Sequence, residues 1–79
     1  MAKKVQPRKL SRKERERESH RREILDAAET VFVRKGYHTA TVEEIAHEAE
    51  FAVGTLYNFF QGKDDLYAHV VGKIAQDFM

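Results

Sequence analysis

The chain contains no cysteine, and that absence removes disulfides, thiolate catalysis and cysteine-ligated zinc together. Its apolar runs are only a few residues long, so no segment is expected to cross a membrane, and the basic start lacks the apolar stretch of a signal peptide. An intracellular, cytoplasmic protein is the default expectation. There is no glycine-rich phosphate loop and no serine or cysteine nucleophile signature. His20, His38, His47 and His69 are scattered, with no pair at metal-ligand spacing. The acidic pairs Glu43-Glu44 and Asp64-Asp65 stand where helices are expected to begin, which suits capping better than acid-base chemistry. The sequence therefore points away from an enzyme, a cofactor and a metal.

What is present is small and charged. A chain of 79 residues is one domain at most and can bury only a thin core. Apolar residues at 42% and charged residues at 34% allow a folded domain with a strongly solvated surface and argue against global disorder. The net charge of +1 conceals an asymmetry, because residues 1–22 carry ten Lys and Arg against Glu14, Glu16 and Glu18, a balance of +7. Residues 23–79 carry four basic and ten acidic groups, a balance of −6. A basic arm over residues 1–18 on a mildly acidic body over residues 19–79 suggests an anionic partner met mainly by the arm. The stretch "SRKERERESHRR" also reads as a solvated helix end held by pairs such as Glu18 with Arg22.

Hydrophobic spacing predicts four helices and no strand. From about Ser11 or Ser19, the residues Ile24, Leu25, Ala28, Val31 and Phe32 recur at helical spacing and form one apolar stripe. Arg34 and Lys35 suit its last turn, and Gly36 can take the left-handed conformation that ends it. In "TVEE", Thr41 and Glu44 have the spacing of a capping box, opening a short helix with Val42, Ile45, Ala46 and Ala49 on one side. After a break of about three residues a second short helix fits Val53 to about Phe60. A last helix begins at Gly62, with Leu66, Tyr67, Val70, Val71, Ile74 and Phe78 on a broad apolar side that something outside the helix is expected to cover.

Two short helices joined by a tight turn form a helix-turn-helix, and small residues such as Ala46 allow the close crossing. In the second of them, Phe51, Leu56, Phe59 and Phe60 face its supports, whereas Gly54, Thr55, Tyr57, Asn58 and Gln61 point away. The outward set suits a DNA major groove. Gly54 permits close backbone approach, Thr55 and Asn58 offer hydrogen-bonding groups, Ala52 or Val53 can touch a thymine methyl, and Tyr57 can donate to a phosphate. Deleting residues 1–18 is expected to flatten the salt dependence of binding while sequence preference survives. Two rival readings are a small helical protein-interaction module whose partner covers the last helix, and an arm that binds RNA or anionic membrane. The arm lacks the large apolar face of a membrane-surface helix.

The run "RREILDAAETVFVRKGYHTATVEEIAHEAEFAVGTLYNFFQGKDDLY", residues 21–67, resembles the N-terminal DNA-binding domain of TetR-family transcriptional regulators. The matches that carry it are "ILDAAETVF", "KGYHTATVEEIAHEA", "VGTLYNFF" and the Lys63 before an acidic helix start. The resemblance implies an all-α bundle with a helix-turn-helix of the tetracycline-repressor kind, in a bacterial regulator, expected to be a repressor, that binds double-stranded DNA at a palindromic operator. It implies phosphate contacts from Tyr57, Asn58, Lys63 and Thr41, with Val53, Gly54 and Thr55 toward base edges. Three residues depart from the family pattern: Glu50 stands where glycine is usual, Ala52 where serine commonly caps the reading helix, and Asn58 where histidine often follows the tyrosine. The family's C-terminal domain, which binds a small-molecule effector and forms the homodimer, is expected to be absent from this chain.

Overall fold

The structure, a computed structural model, describes residues 10–78. Among these residues there are four helices and no strand: α1 Arg12–Lys35, α2 Val42–Ala49, α3 Val53–Tyr57 and α4 Lys63–Asp77. The N-terminal arm falls partly outside the described residues, since only its part from Leu10 onward is placed.

Of the two starts left open for α1, the backbone takes the earlier. Ser11 is the N-cap: its hydroxyl accepts from the Glu14 amide at 3.1 Å, and the Glu14 carboxylate accepts from the Ser11 amide at 2.9 Å. This closes a capping box and satisfies two amides that have no partner within the helix. From there α1 runs unbroken for 24 residues, through the position between residues 18 and 19. It ends at Gly36, whose φ of 82° is positive as expected but whose ψ of 161° is extended rather than left-handed helical. The cap still closes, because the Gly36 amide donates to the Phe32 carbonyl at 2.8 Å.

The core is assembled from all four helices. Ile24, Leu25, Ala27, Ala28, Val31 and Phe32 of α1 meet Val42, Ile45 and Ala46 of α2, Leu56 of α3, and Leu66 and Val70 of α4, with Ala40 and Phe60 from the connections. The α1 stripe read from the sequence is therefore entirely buried. On the outside, the Lys73 ammonium ties α4 to α1 through Asp26 and Glu29, each at 2.8 Å. Its hydrogen bond to Asp26 and then that to Glu29 hold the ammonium pKa well above the ordinary lysine value.

One expectation about the later helices is corrected. Regular α-helix in α3 stops at Tyr57 rather than near Phe60. The following turn tightens, with the Asn58 amide on the Thr55 carbonyl at 3.0 Å and the Phe59 amide on the Leu56 carbonyl at 2.9 Å, both three residues back. On the broad apolar side of α4, Leu66 and Val70 are buried and Ile74 partly so, whereas Tyr67, Val71 and Phe78 are exposed, in keeping with a face that awaits a cover. Lys63 opens α4 with Gly62 as its cap.

Candidate nucleic-acid interface

The helix-turn-helix is built around a residue in an uncommon conformation. Glu50 ends α2 with φ 64° and ψ 38°, the left-handed region, and its amide reaches back to the carbonyls of Ala46 and His47. A side chain there costs roughly 1 kcal/mol relative to glycine. The turn continues as the Phe51 amide donates to the Ala46 carbonyl at 3.0 Å, while Ala46 is itself buried at the crossing. The chain then enters α3 through Ala52, whose extended backbone (φ −67°, ψ 149°) is that of an N-cap but which supplies no side-chain acceptor.

On α3 the sidedness expected from the sequence is observed in most positions. Leu56 and Phe60 are buried, and Phe51, Val53 and Phe59 pack against the core from its edge. Ala52, Gly54, Tyr57 and Asn58 are exposed and Thr55 is half-buried. Val53 belongs to both faces, since its partial burial leaves only part of its side chain toward solvent. Gly54 has ordinary helical backbone, and a Cβ placed on it would meet no atom within 4 Å. Nothing inside the chain requires a glycine at that position, although glycine costs about 0.5–1 kcal/mol in a helix relative to alanine.

The start of α2 is more occupied than its sequence suggests. The Thr41 hydroxyl accepts from the Glu44 amide at 3.1 Å and also lies 3.2 Å from Glu44 Oε1, while the Thr41 amide donates to the same oxygen at 3.1 Å. The capping box is thus present as expected. Lys35 is hydrogen-bonded to the other Glu44 oxygen. That bond, with the Thr41 amide and against some desolvation, holds the Glu44 carboxyl below its ordinary value. A phosphate arriving at Thr41 must take the amide from Glu44.

Lys63 is also engaged. Its ammonium donates to the carbonyls of Tyr37 at 2.9 Å and Ala40 at 3.1 Å and lies 4.4 Å from the centre of the Tyr37 ring. Lys63 therefore ties the start of α4 to the segment that leads into Thr41, and the structure brings these two residues into one neighbourhood. Replacing Lys63 with methionine leaves part-buried carbonyls without their cation and is expected to lower stability by about 1–2 kcal/mol. For a domain of this size that is a fall of roughly 4–8 °C per kcal/mol in the thermal midpoint, read by circular dichroism. An unchanged midpoint would leave Lys63 no structural role and return it wholly to ligand contact.

Three residues that contact the segment around α3 were not singled out from the sequence as its neighbours: Arg17, His20 and Arg21. Arg17 Nη2 donates to the Asn58 carbonyl at 3.1 Å, and its guanidinium lies 4.3 Å from the centre of the Phe59 ring. Arg21 stands 5.5 Å from the Phe60 ring, and the His20 ring meets Phe51 edge-on at 5.1 Å. The available signal was their spacing, because positions 17, 20 and 21 continue the stripe of Ile24 and Ala28. Among the described residues no group of three His, Asp or Glu side chains could hold a metal ion, and no helix is long and apolar enough to cross a membrane.

A short helix with one exposed small and polar face, crossed over a second helix and carried by a packed bundle, defines a helix-turn-helix nucleic-acid-binding domain. Residues 24–70 match the family described as bacterial regulatory proteins, tetR family, and the chain belongs to that family of DNA-binding transcription regulators, which is not a family of enzymes. It is 41% identical over 49 residues to the HTH-type transcriptional regulator HbdR of Aromatoleum sp. (strain CIB), covering 62% of this chain and 21% of HbdR. It is 42% identical over 55 residues to the HTH-type transcriptional activator FasR of Mycolicibacterium smegmatis, covering 70% of this chain and 25% of FasR. The crystal structure of a HlyIIR mutant protein superposes with a TM-score of 0.71 at 38% identity, over 72% of this chain and 32% of that one. The chain thus spans about a fifth to a third of the length of these relatives.

Proposed function

We propose that this domain reads a specific sequence in the major groove of double-stranded DNA with α3, as part of a regulator that acts in the cytoplasm as a homodimer on a palindromic operator. Val53, Gly54 and Thr55 face base edges, with Ala52 at the entry to the helix. Tyr57, Asn58, Thr41 and Lys63 approach phosphates, the last two once their internal partners yield. The single observation that carries this reading is Gly54. A glycine on the exposed side of a reading helix leaves its backbone open to close approach, and the space beyond Gly54 is empty. The HTH-type regulators to which the chain is similar include one named an activator, FasR, and one named a repressor, KstR, also of Mycolicibacterium smegmatis. Repression is the mode proposed here, since occluding a promoter needs nothing beyond occupancy of DNA. A small-molecule effector and the dimer contact would belong to a further domain.

The test is selection from a pool of random duplexes at two salt concentrations, with sequencing of the bound fraction. One short enriched motif is expected, with affinity falling steeply as salt rises, by a logarithmic slope of about −0.9 for each phosphate neutralised. Salt-dependent binding without enrichment would sink groove reading and leave only the basic segment engaging DNA. No binding at all would favour the protein-interaction module, whose partner would cover the exposed Tyr67, Val71 and Phe78 of α4.

A further inference from the structure

The reading helix is poorly equipped to hold its own direction. It has five residues and no side-chain cap at its start, and Leu56 is its one fully buried side chain. An isolated helix of that length has no stability in water, so its direction is imposed from outside. The core fixes one point through Leu56. A second set of contacts comes from the N-terminal half of α1, which brackets the segment on both sides: His20 against Phe51 before it, and Arg17 and Arg21 against Asn58, Phe59 and Phe60 after it.

Arg17 differs from its two neighbours in kind. His20 and Arg21 only touch rings, and such contacts allow sliding. Arg17 places one hydrogen bond on the backbone at the end of α3 and holds its guanidinium over the adjacent ring. The Asn58 carbonyl lies where helix carbonyls lack partners and where the helix dipole favours a cation. A planar guanidinium can stack and donate at once, which a lysine ammonium cannot. The residues joined to this anchor are Tyr57 and Asn58, so a change in its position is passed directly to the exposed face of α3.

We propose that Arg17 is a positioning residue for DNA recognition: with the N-terminal turns of α1 it forms a strut that sets the direction of α3, and sequence preference depends on it. The inference rests on the groove reading above and deepens it. It also divides the basic segment into two jobs. Lys3, Lys4, Arg8 and Lys9 contribute charge toward phosphates, whereas Arg17, laid along the end of α3, contributes direction. Deleting residues 1–18 removes both, so sequence preference would not survive that deletion as the sequence reading expects.

The experiment crosses two changes on two probes. The full chain, a chain lacking residues 1–9, and Arg17→Met are titrated across salt against a duplex carrying the enriched motif and a scrambled duplex of the same composition. Loss of residues 1–9 is expected to flatten the salt slope on both duplexes and leave their affinity ratio unchanged. Arg17→Met is expected to reduce the ratio roughly three- to tenfold with little change in slope. Phe59→Leu, which alters no charge, is expected to cause a similar fall, and the double variant to add little, as for residues acting through one contact. A fall on both duplexes alike with the slope reduced by about one would make Arg17 a phosphate contact and overturn the proposal, and so would unchanged affinities. If Arg17→Met loses helical signal, Arg17→Lys carries the same comparison, with a smaller fall in ratio expected and an unchanged ratio overturning the strut. A full chain that prefers neither duplex would overturn groove reading itself, and is recognised before any variant is compared.

Discussion

Gly54→Leu is expected to raise the unfolding midpoint of the free chain while lowering its affinity for the selected duplex by about a hundredfold or more. The first effect follows from helix propensity. Leucine is favoured over glycine in a helix by roughly 0.5–1 kcal/mol, and the new side chain meets open space because, beyond the adjoining residues and the helix's own backbone, no atom lies within 4 Å of the Cβ position. For a domain of this size the gain is worth about 4–8 °C per kcal/mol. The second effect follows from distance. A leucine between the helix backbone and base edges pushes Thr55 off its base contact and lifts Tyr57 and Asn58 from their phosphates, and breaking one well-formed side-chain-to-base pairing in the groove costs about 1–3 kcal/mol before the phosphate contacts are counted. Melting curves and fluorescence anisotropy read the two quantities separately, and their opposite signs distinguish a contact surface from a damaged fold. Unchanged affinity would mean that Gly54 faces no base edge, and the reading face would have to be placed elsewhere on α3.

Leu56→Ala is expected to have the larger effect on the fold itself. Leu56 is 1% exposed and is the core anchor of α3. Truncating such a side chain costs about 2–5 kcal/mol, through reduced burial and the cavity left behind. A chain of this length has roughly 4–12 kcal/mol in total. The urea midpoint should therefore fall by a large fraction with its slope preserved, and DNA binding should fail at temperatures where the original chain still binds. A cost below about 1 kcal/mol would show that α3 is held mainly from its ends, by Phe60 and the α1 contacts.

Where the determinants of structure were local, the sequence displayed them. Thr41 and Glu44 form the expected capping box, Gly36 closes α1, and Glu50 adopts the positive φ required of that turn position. Each depends on residues within a few positions of one another. The stripe of α1 was equally legible from Ile24 onward, because apolar side chains mark their own burial. It was illegible before Ile24, where Arg17, His20 and Arg21 continue the same face with polar groups that pack on aromatic rings far along the chain. Arg17 and its partner Asn58, for instance, are 41 positions apart. That half of the helix is mostly exposed, as its polarity suggests, and polarity alone gave no sign of which exposed groups lie against rings. Lys63 poses the same problem, since its carbonyl partners lie 23 and 26 residues back. The end of α3 at Tyr57 was hidden for another reason: one tightened turn keeps Phe60 on the apolar side, so hydrophobic spacing could not reveal where the regular helix stops.

The brevity of α3 also makes DNA a partner in folding. A five-residue helix exists only while the bundle around it is assembled, so the unfolded chain has no groove-reading segment to offer. Duplex that binds the folded form alone draws the equilibrium toward it by mass action, by about 2.7 kcal/mol when free sites exceed the dissociation constant a hundredfold. Chains seated on their operator would therefore outlast unbound ones wherever proteases remove whatever unfolds, and the supply of binding sites would help to set how long the regulator survives.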